Sequence, residues 1–273
     1  VTAPRILVFD SGLGGLTGYR EFLEKLPDAR YLYVADNAVF PYGDLRDEEL
    51  VIRLLALFKV LIEREQPDLC VIACNTASTI ALAPLRDHFK VPFVGTVPAI
   101  KTAAEKTTSG LFSLLATPGT VKRRYTRALV DDFAADCHVT LVGAECLAEL
   151  AEDFMRGKAI DRARLAHILA PAFVEKSGKR TDIVVLGCTH YPLLLDEMRK
   201  VEPWPVSYID PAPAIARQGQ AVLKRLFGEA LSAAGGHAVN QLLYTGSDDI
   251  IGNISDYLSN IGLHEASRDE IIG

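Results

Sequence analysis

Two stretches of the chain repeat one another. Asp68-Leu69-Cys70-Val71-Ile72-Ala73-Cys74-Asn75-Thr76 and Asp182-Ile183-Val184-Val185-Leu186-Gly187-Cys188-Thr189-His190 each start on an aspartate and run through an apolar segment. Each then passes a small residue and reaches a cysteine six places after the aspartate. Side chains that hydrogen-bond follow both cysteines at once. Free cysteine is among the most buried residue types and often only fills a core; Cys70, Cys137 and Cys146 read that way. Cys74 and Cys188 stand apart because their positions match and their followers are polar. A thiolate is a base and a nucleophile, a thiol is an acid, and a helix N-terminus favours the thiolate. Matched thiols suit chemistry that uses a pair.

The elements that must hold them follow from the pattern. A short apolar run between polar residues reads as a strand buried on both faces. Each cysteine therefore falls just past the carboxyl end of a core strand, where open α/β sheets bind ligands. Besides the two cysteine strands, strands are predicted over residues 5–9, 31–35, 92–94, 111–116, 139–142, 206–209 and 241–244. Helices are predicted over 16–26, 48–65, 121–133, 146–155, 161–175, 214–227 and 248–258, one more beginning within 76–80 and another opening at Tyr191-Pro192. The helix over 48–65 rests on Leu50, Ile52, Leu54, Leu55, Phe58, Leu61 and Ile62 at helical spacing.

Strands and helices alternating at these lengths predict parallel sheets with helices on both faces. The two cysteines lie 114 positions apart (188 − 74), and the ends of the first strands of the two halves, Asp10 and Thr117, lie 107 apart (117 − 10). Such similar offsets indicate an internal duplication. The expected fold is α/β, with two similar doubly wound parallel-sheet lobes related by pseudo-twofold symmetry and an active site between them. The first lobe is expected over 1–97 plus 209–273, carrying Asp10 and Cys74, and the second over 98–208, carrying Glu152 and Cys188.

Composition narrows the function classes. An apolar fraction of 49% with 23% charged residues is ordinary for a globular protein. A net charge of −6 argues against a nucleic-acid partner, which selects a basic face. Charges interrupt every apolar run before about 20 residues, so no membrane span is expected, and Val1-Thr2-Ala3-Pro4 lacks the features of a signal peptide. Five cysteines without a framework spacing read as reduced thiols, and the expected location is the cytoplasm.

Several chemistries compete for these residues. Asp10-Ser11-Gly12-Leu13-Gly14-Gly15 suggests a nucleotide loop, but Thr17 stands where the dinucleotide fingerprint needs Gly or Ala, and no Gly-Lys-Ser/Thr ending follows. Asp10 would also repel a pyrophosphate. The glycines instead let a backbone and a helix N-terminus approach a small anion. Zinc could draw on the cysteines with His190, Asp10 and Asp36, yet neither a Cys-x-x-Cys pair nor a paired His spacing is present. A Cys188 nucleophile with His190 as base requires a sharp turn and leaves Cys74 without a role. Redox cycling uses both thiols but requires them within bonding distance. Inverting a carbon centre by proton transfer uses both differently: a thiolate removes the proton from one face and a thiol supplies one to the other. A carbon-bound α-proton is weakly acidic, so such a site also needs donors for the developing charge.

Taken together, the motifs carry a resemblance. Asp10-Ser11-Gly12-Leu13-Gly14-Gly15, Asp36-Asn37-Ala38 with Pro41-Tyr42-Gly43, Ala73-Cys74-Asn75-Thr76-Ala77-Ser78, Ala116-Thr117-Pro118-Gly119-Thr120-Val121 and Gly187-Cys188-Thr189-His190-Tyr191-Pro192 occur in this order over nearly the whole chain. In this the chain resembles the glutamate racemases of the aspartate/glutamate racemase superfamily. The resemblance implies cofactor-independent interconversion of L- and D-glutamate, supplying D-glutamate for peptidoglycan, with Cys74 and Cys188 as the two bases. It makes Asp10 the helper of the first cysteine and His190 that of the second, with a glutamate assisting there. That glutamate aligns with Glu152, although Glu145 and Glu149 lie near. The implied substrate contacts are Ser11, Pro41, Tyr42, Gly43, Asn75, Thr76, Thr117, Thr120 and Thr189. No metal or other cofactor is implied, and a homodimer is the commoner state of the family. Racemisation of a related acidic amino acid such as aspartate, or two-lobed amino-acid binding without catalysis, are the other readings.

Overall fold

The computed structural model describes residues 3–228, 240–247, 251 and 254–269. The chain opens with β1 (Arg5–Asp10), α1 (Leu16–Lys25), β2 (Arg30–Ala35), α2 (Asp47–Glu65), β3 (Leu69–Ile72), α3 (Asn75–His88) and β4 (Phe93–Gly95). It continues through α4 (Ile100–Lys106), β5 (Leu111–Ala116), α5 (Pro118–Lys122), α6 (Arg124–Phe133), β6 (His138–Gly143), α7 (Leu147–Met155) and α8 (Arg162–Leu169). A short hairpin, β7 (Glu175–Lys176) and β8 (Lys179–Arg180), precedes β9 (Ile183–Gly187), α9 (Leu195–Val201) and β10 (Ser207–Ile209). The chain ends with α10 (Ala212–Phe227), β11 (Asn240–Tyr244), α11 (Ser255–Asn260) and β12 (Leu263–Arg268).

These elements form two compact units: the chain up to Thr96 together with the chain from Ala212 onward, and Val97–Pro211. The first holds a six-stranded sheet in the order β12-β11-β2-β1-β3-β4, and every pairing in it is parallel. The second holds a four-stranded parallel sheet in the order β10-β9-β5-β6. Reversed, the second order runs β6-β5-β9-β10 and corresponds strand for strand to β2-β1-β3-β4 of the first. In each unit the chain passes from a central strand to one neighbour and then crosses to the other side. That reversal of winding, at β1/β3 and at β5/β9, is where open α/β sheets leave a crevice for ligands.

The core strands are apolar because both of their faces are covered. β3, β5 and β9 are buried along their whole lengths. In the first unit Leu7, Phe9, Leu54, Phe58, Ile72 and Phe93 pack between sheet and helices; in the second, Phe112, Leu114, Ile183 and Val185 do the same.

Some elements differ from the sequence-based expectation. The helix expected over 121–133 is two helices, because Arg123 takes an extended conformation (ψ 143°) between α5 and α6. The helix expected over 161–175 stops at Leu169; Pro171 lacks the N–H that another turn requires, and the hairpin β7–β8 follows. α3 begins at Asn75, before the expected 76–80 window. The helix expected over 248–258 falls partly outside the described residues, and its described part is α11. Ile52 points outward, 69% exposed, while the apolar stripe of α2 runs through Leu50, Leu54, Leu57, Phe58 and Leu61. α4 and β12 were not expected. Among the described residues no helix is long and apolar enough to cross a membrane.

Candidate active site

In the first unit, β1 and β3 are neighbours in register, with Phe9 opposite Ile72. Asp10, the last residue of β1, and Cys74, two residues past β3, therefore emerge side by side at the carboxyl edge of the sheet. Asp10 is buried, and its Oδ2 accepts the Gly12 N–H at 3.1 Å. The turn after it must approach the sheet closely. A Cβ on Gly15 would stand 2.7 Å from the Asp10 Cβ and 2.8 Å from the Tyr33 hydroxyl oxygen, so glycine is required there.

Cys74 is the N-cap of α3. Its Sγ accepts the Ala77 N–H at 3.5 Å and lies 3.7 Å from Ser11 Oγ. The positive end of a helix macrodipole thus faces the sulfur. Asn75 and Thr76 form the first turn of α3 and are buried. Thr96 Oγ1 donates to Asn75 Oδ1 at 3.5 Å, whereas Asn75 Nδ2 is buried with no hydrogen-bond partner among the described residues. A buried, unpaired amide donor is costly without a partner and is suited to a ligand's acceptor.

Pro41, Tyr42 and Gly43 approach the same region. The Tyr42 ring is buried in the core cluster that contains Cys74, and its hydroxyl donates to Asp36 Oδ2. Burial first, then the adjacent Asp36 carboxylate and Cys74, hold the Tyr42 phenol well above the usual tyrosine range, so it remains a donor. Pro41 and Gly43 flank it and are half-buried.

In the second unit, Ala116 of β5 pairs with Gly187 of β9. Thr117 and Cys188, the next residues, leave the sheet on adjacent strands. Gly187 has no room for a side chain: a Cβ would lie 2.8 Å from both the Ala116 Cβ and Leu114 Cδ1, and 3.1 Å from the Leu115 carbonyl oxygen. After Cys188 the chain turns sharply, with the Tyr191 N–H donating to the Cys188 carbonyl at 3.2 Å. The turn brings His190 Nδ1 to 3.8 Å from Cys188 Sγ despite the short separation in sequence. α7 supplies the next member. Leu147, Ala148, Ala151 and Glu152 form its buried face, and Glu152 Oε1 lies 3.0 Å from His190 Nε2. Arg156, one turn later, donates from Nη1 to Glu152 Oε2 at 3.4 Å.

The result is a chain of polar groups, Cys188–His190–Glu152–Arg156. Burial alone would drive the His190 ring neutral. The Cys188 sulfur and the Glu152 carboxylate outweigh it and hold the imidazole protonated well above the ordinary histidine range. Of the three candidate glutamates, Glu145 is exposed and Glu149 half-buried; Glu152 faces His190. Thr117 caps α5, accepting the Thr120 N–H at 3.3 Å, and the two hydroxyl oxygens are 3.0 Å apart. Thr120 is buried, and Thr189 half-buried beside Cys188.

The structure therefore gathers Asp10, Ser11, Tyr42, Cys74, Asn75 and Thr76 at one sheet edge, and Thr117, Thr120, Glu152, Cys188, Thr189 and His190 at the corresponding edge of the other sheet. Asp36, Arg53 and Arg156 stand behind these groups; the sequence offered Asp36 only as a possible zinc ligand and as part of a motif, and Arg53 and Arg156 not at all. Arg53 carries a signal that could have found it: a charged residue on the apolar stripe of α2, three after Leu50 and four before Leu57. None of the five cysteines forms a disulfide. Among the described residues no cluster of three or more His, Cys, Asp or Glu could hold a metal ion.

Comparison with known proteins bears on this arrangement. Residues 22–219 match the model of the Asp/Glu/hydantoin racemase family. The chain is 57% identical over 219 residues to a glutamate racemase of Brucella canis, covering 80% of this chain and 79% of that one. Its fold is similar to that of Escherichia coli glutamate racemase, crystallised with L-glutamate and the activator UDP-MurNAc-Ala. The TM-score is 0.88 at 38% identity, over 97% of this chain and 98% of that one. A glutamate racemase isoform from Bacillus anthracis matches with a TM-score of 0.81 at 25% identity, over 100% of this chain and 99% of that one.

Proposed function

The chain belongs to the Asp/Glu/hydantoin racemase family, and we propose that it interconverts L- and D-glutamate by a two-base mechanism without a cofactor. One observation carries the proposal: at the winding reversal of each sheet stands a cysteine whose sulfur meets polar partners of its own. The thiolate of one takes the α-proton, and its electron pair forms the S–H bond. The C–H pair remains on the substrate as a carbanion delocalised into the α-carboxylate. The thiol of the other cysteine gives its proton to the opposite face of the α-carbon and becomes the thiolate. Thiol and thiolate have exchanged places, and proton exchange with water restores the starting form.

The two halves prepare their sulfurs differently. Cys188 faces a protonated His190 backed by Glu152, so its thiolate is met by a full positive charge. Cys74 faces the N-terminus of α3 and the hydroxyl of Ser11, with Asp10 at the neighbouring strand end. The carbanion needs donors aimed at the carboxylate, and Asn75 Nδ2 with the hydroxyls of Ser11, Thr76, Thr117 and Thr189 are of the right type. These donors are uncharged; strong cationic capture would bind substrate and transition state alike and gain nothing in kcat. By the same reading the reaction takes place in the cytoplasm, with D-glutamate feeding peptidoglycan synthesis, and a homodimer is the assembly to test for.

The test is to incubate either enantiomer of glutamate with the protein in D2O, without added cofactor, and follow the α-position by NMR. Deuterium enters as the optical rotation decays. In Cys74→Ser and in Cys188→Ser racemisation is lost. Binding without deuterium incorporation would refute the enzyme and leave a glutamate-binding protein. Near-normal turnover in either serine variant would refute the two-thiol mechanism.

A further inference from the structure

The Asp36 carboxylate is completely buried at the end of β2, and three separate parts of the first unit converge on it. Arg53 of α2 meets it as a fork, Nε to Oδ2 at 2.6 Å and Nη2 to Oδ1 at 2.6 Å. The Tyr42 hydroxyl donates to Oδ2, and Thr245, just past β11, donates from Oγ1 to Oδ1 at 2.6 Å. The Thr245 hydroxyl in turn accepts the Ala38 N–H at 3.1 Å, while Asn37 Oδ1 accepts the N–H groups of Thr245 at 3.1 Å and Gly246 at 2.7 Å. The segment from Asp36 to Gly43 is thus tied to α2 on one side and to the end of β11 on the other. It delivers Pro41, Tyr42 and Gly43, and Tyr42 packs in the cluster that holds Cys74.

We propose that Arg53 is a positioning residue for the Cys74 half of the reaction: its guanidinium fork fixes Asp36, and Asp36 fixes Tyr42 and the Pro41-Tyr42-Gly43 backbone beside Cys74. The proposal rests on the two-thiol reading of the site. Arg53 acts at one remove, through a carboxylate and then a phenol. A planar, bidentate guanidinium sets the rotation of the carboxylate as well as its place, which a lysine ammonium cannot do. The rotation matters because Oδ2 is shared with the Tyr42 hydroxyl. A buried carboxylate that loses its counter-charge altogether is strongly unfavourable, so the informative change keeps the charge and removes the fork.

The experiment compares the parent protein with Arg53→Lys, Tyr42→Phe and the double variant Arg53→Lys/Tyr42→Phe. It reads thermal unfolding, kcat and KM for both enantiomers, and hydrogen exchange of the backbone amides over residues 42–45. Arg53→Lys is expected to melt near the parent yet lose about tenfold in kcat/KM, since small misplacements of binding groups cost rate steeply. Its amides over 42–45 exchange faster. Because both changes cut the same anchor, the double variant is no worse than the more damaged single one. An Arg53→Lys protein with parental kcat/KM, or single penalties that multiply in the double variant, would overturn the proposal. A parent protein that does not racemise glutamate, while Arg53→Lys still loosens residues 42–45, would instead sink the glutamate reading and leave the anchor standing.

Discussion

Replacing Glu152 by Gln tests the polar chain behind Cys188. The carboxylate sits 3.0 Å from His190 Nε2, and both side chains are buried. A hydrogen bond to a charged group contributes about 1.5–3 kcal/mol net, and glutamine keeps an acceptor while dropping the charge. The lower end of that range applies, and about 1.4 kcal/mol corresponds to about tenfold in kcat/KM. The pH dependence carries more information than the rate. Cys188 and Glu152 hold His190 protonated well above its ordinary range. A raised histidine contributes stability that is fully present below its unfolded value of about 6.5 and is lost as pH rises through the folded value. In Glu152→Gln the folded value drops, so the alkaline limb of the kcat/KM profile moves to lower pH. The stability deficit against the parent is largest where Glu152 is ionised and His190 protonated, and it closes as the medium becomes alkaline. Mirror-image substrates have an equilibrium constant of unity, so kcat/KM must fall equally in both directions while kcat and KM are free to diverge. The assay is circular dichroism of each enantiomer between pH 6 and pH 10 (about the range over which histidine and thiols titrate). A variant with the parental rate and an unmoved alkaline limb would refute the charge chain.

Two further predictions concern packing and binding. Asn75→Ala removes a buried amide whose Nδ2 has no described partner; relief of such a group is worth about 1–3 kcal/mol. The variant should melt at or above the parental temperature in scanning calorimetry while its KM for glutamate rises, and a destabilised variant with unchanged KM would make Asn75 purely structural. Gly187→Ala forces a methyl against Ala116, Leu114 and the Leu115 carbonyl, and overpacking of this kind costs about 1–3 kcal/mol. Urea unfolding should show that loss, and an unchanged midpoint would mean that β5 and β9 can separate at no cost.

The strands were legible where burial on both faces leaves a nearly unbroken apolar run, as in β3, β5 and β9, with Ser113 of β5 the polar exception, donating to the Ala172 carbonyl. Similar offsets between Cys74 and Cys188 and between Asp10 and Thr117 exposed the duplication, because equivalent strands in repeated units need equivalent spacing. β12 escaped for the opposite reason: after Leu263 it is exposed, and an edge strand with polar residues on both faces carries no period. α4 buries only Ile100 and Ala103 along seven residues, too few for a helical stripe to emerge. In the site, residues next to the cysteines could be named from the sequence, since the chain itself places them. Asp10 and Glu152, distant in the chain from the cysteines they serve, were named through the family resemblance, whereas the contact of Arg53 with Asp36 could not be read without the fold. Arg53 on α2 reaches Asp36 at the end of β2 across 17 positions, and Glu152 on α7 reaches His190 past β9 across 38.

The place of Thr245 in the Asp36 cradle bears on how the protein matures. Val97–Pro211 is continuous and can fold as soon as it is synthesised. The other unit is discontinuous: β11 must return to pair with β2, and Thr245 must reach Asp36, 209 positions earlier. Pairing across so long a separation is slow, because the loop must close before the non-local contacts reward it. The threonine that completes the cradle under Tyr42 thus follows the whole of Val97–Pro211 in the order of synthesis. A nascent chain stalled before β11 would hold a finished Cys188 half beside an unfinished Cys74 half. The proposed proton transfer, which needs both halves, would begin only once the Thr245 anchor is made, after β11 has joined the sheet.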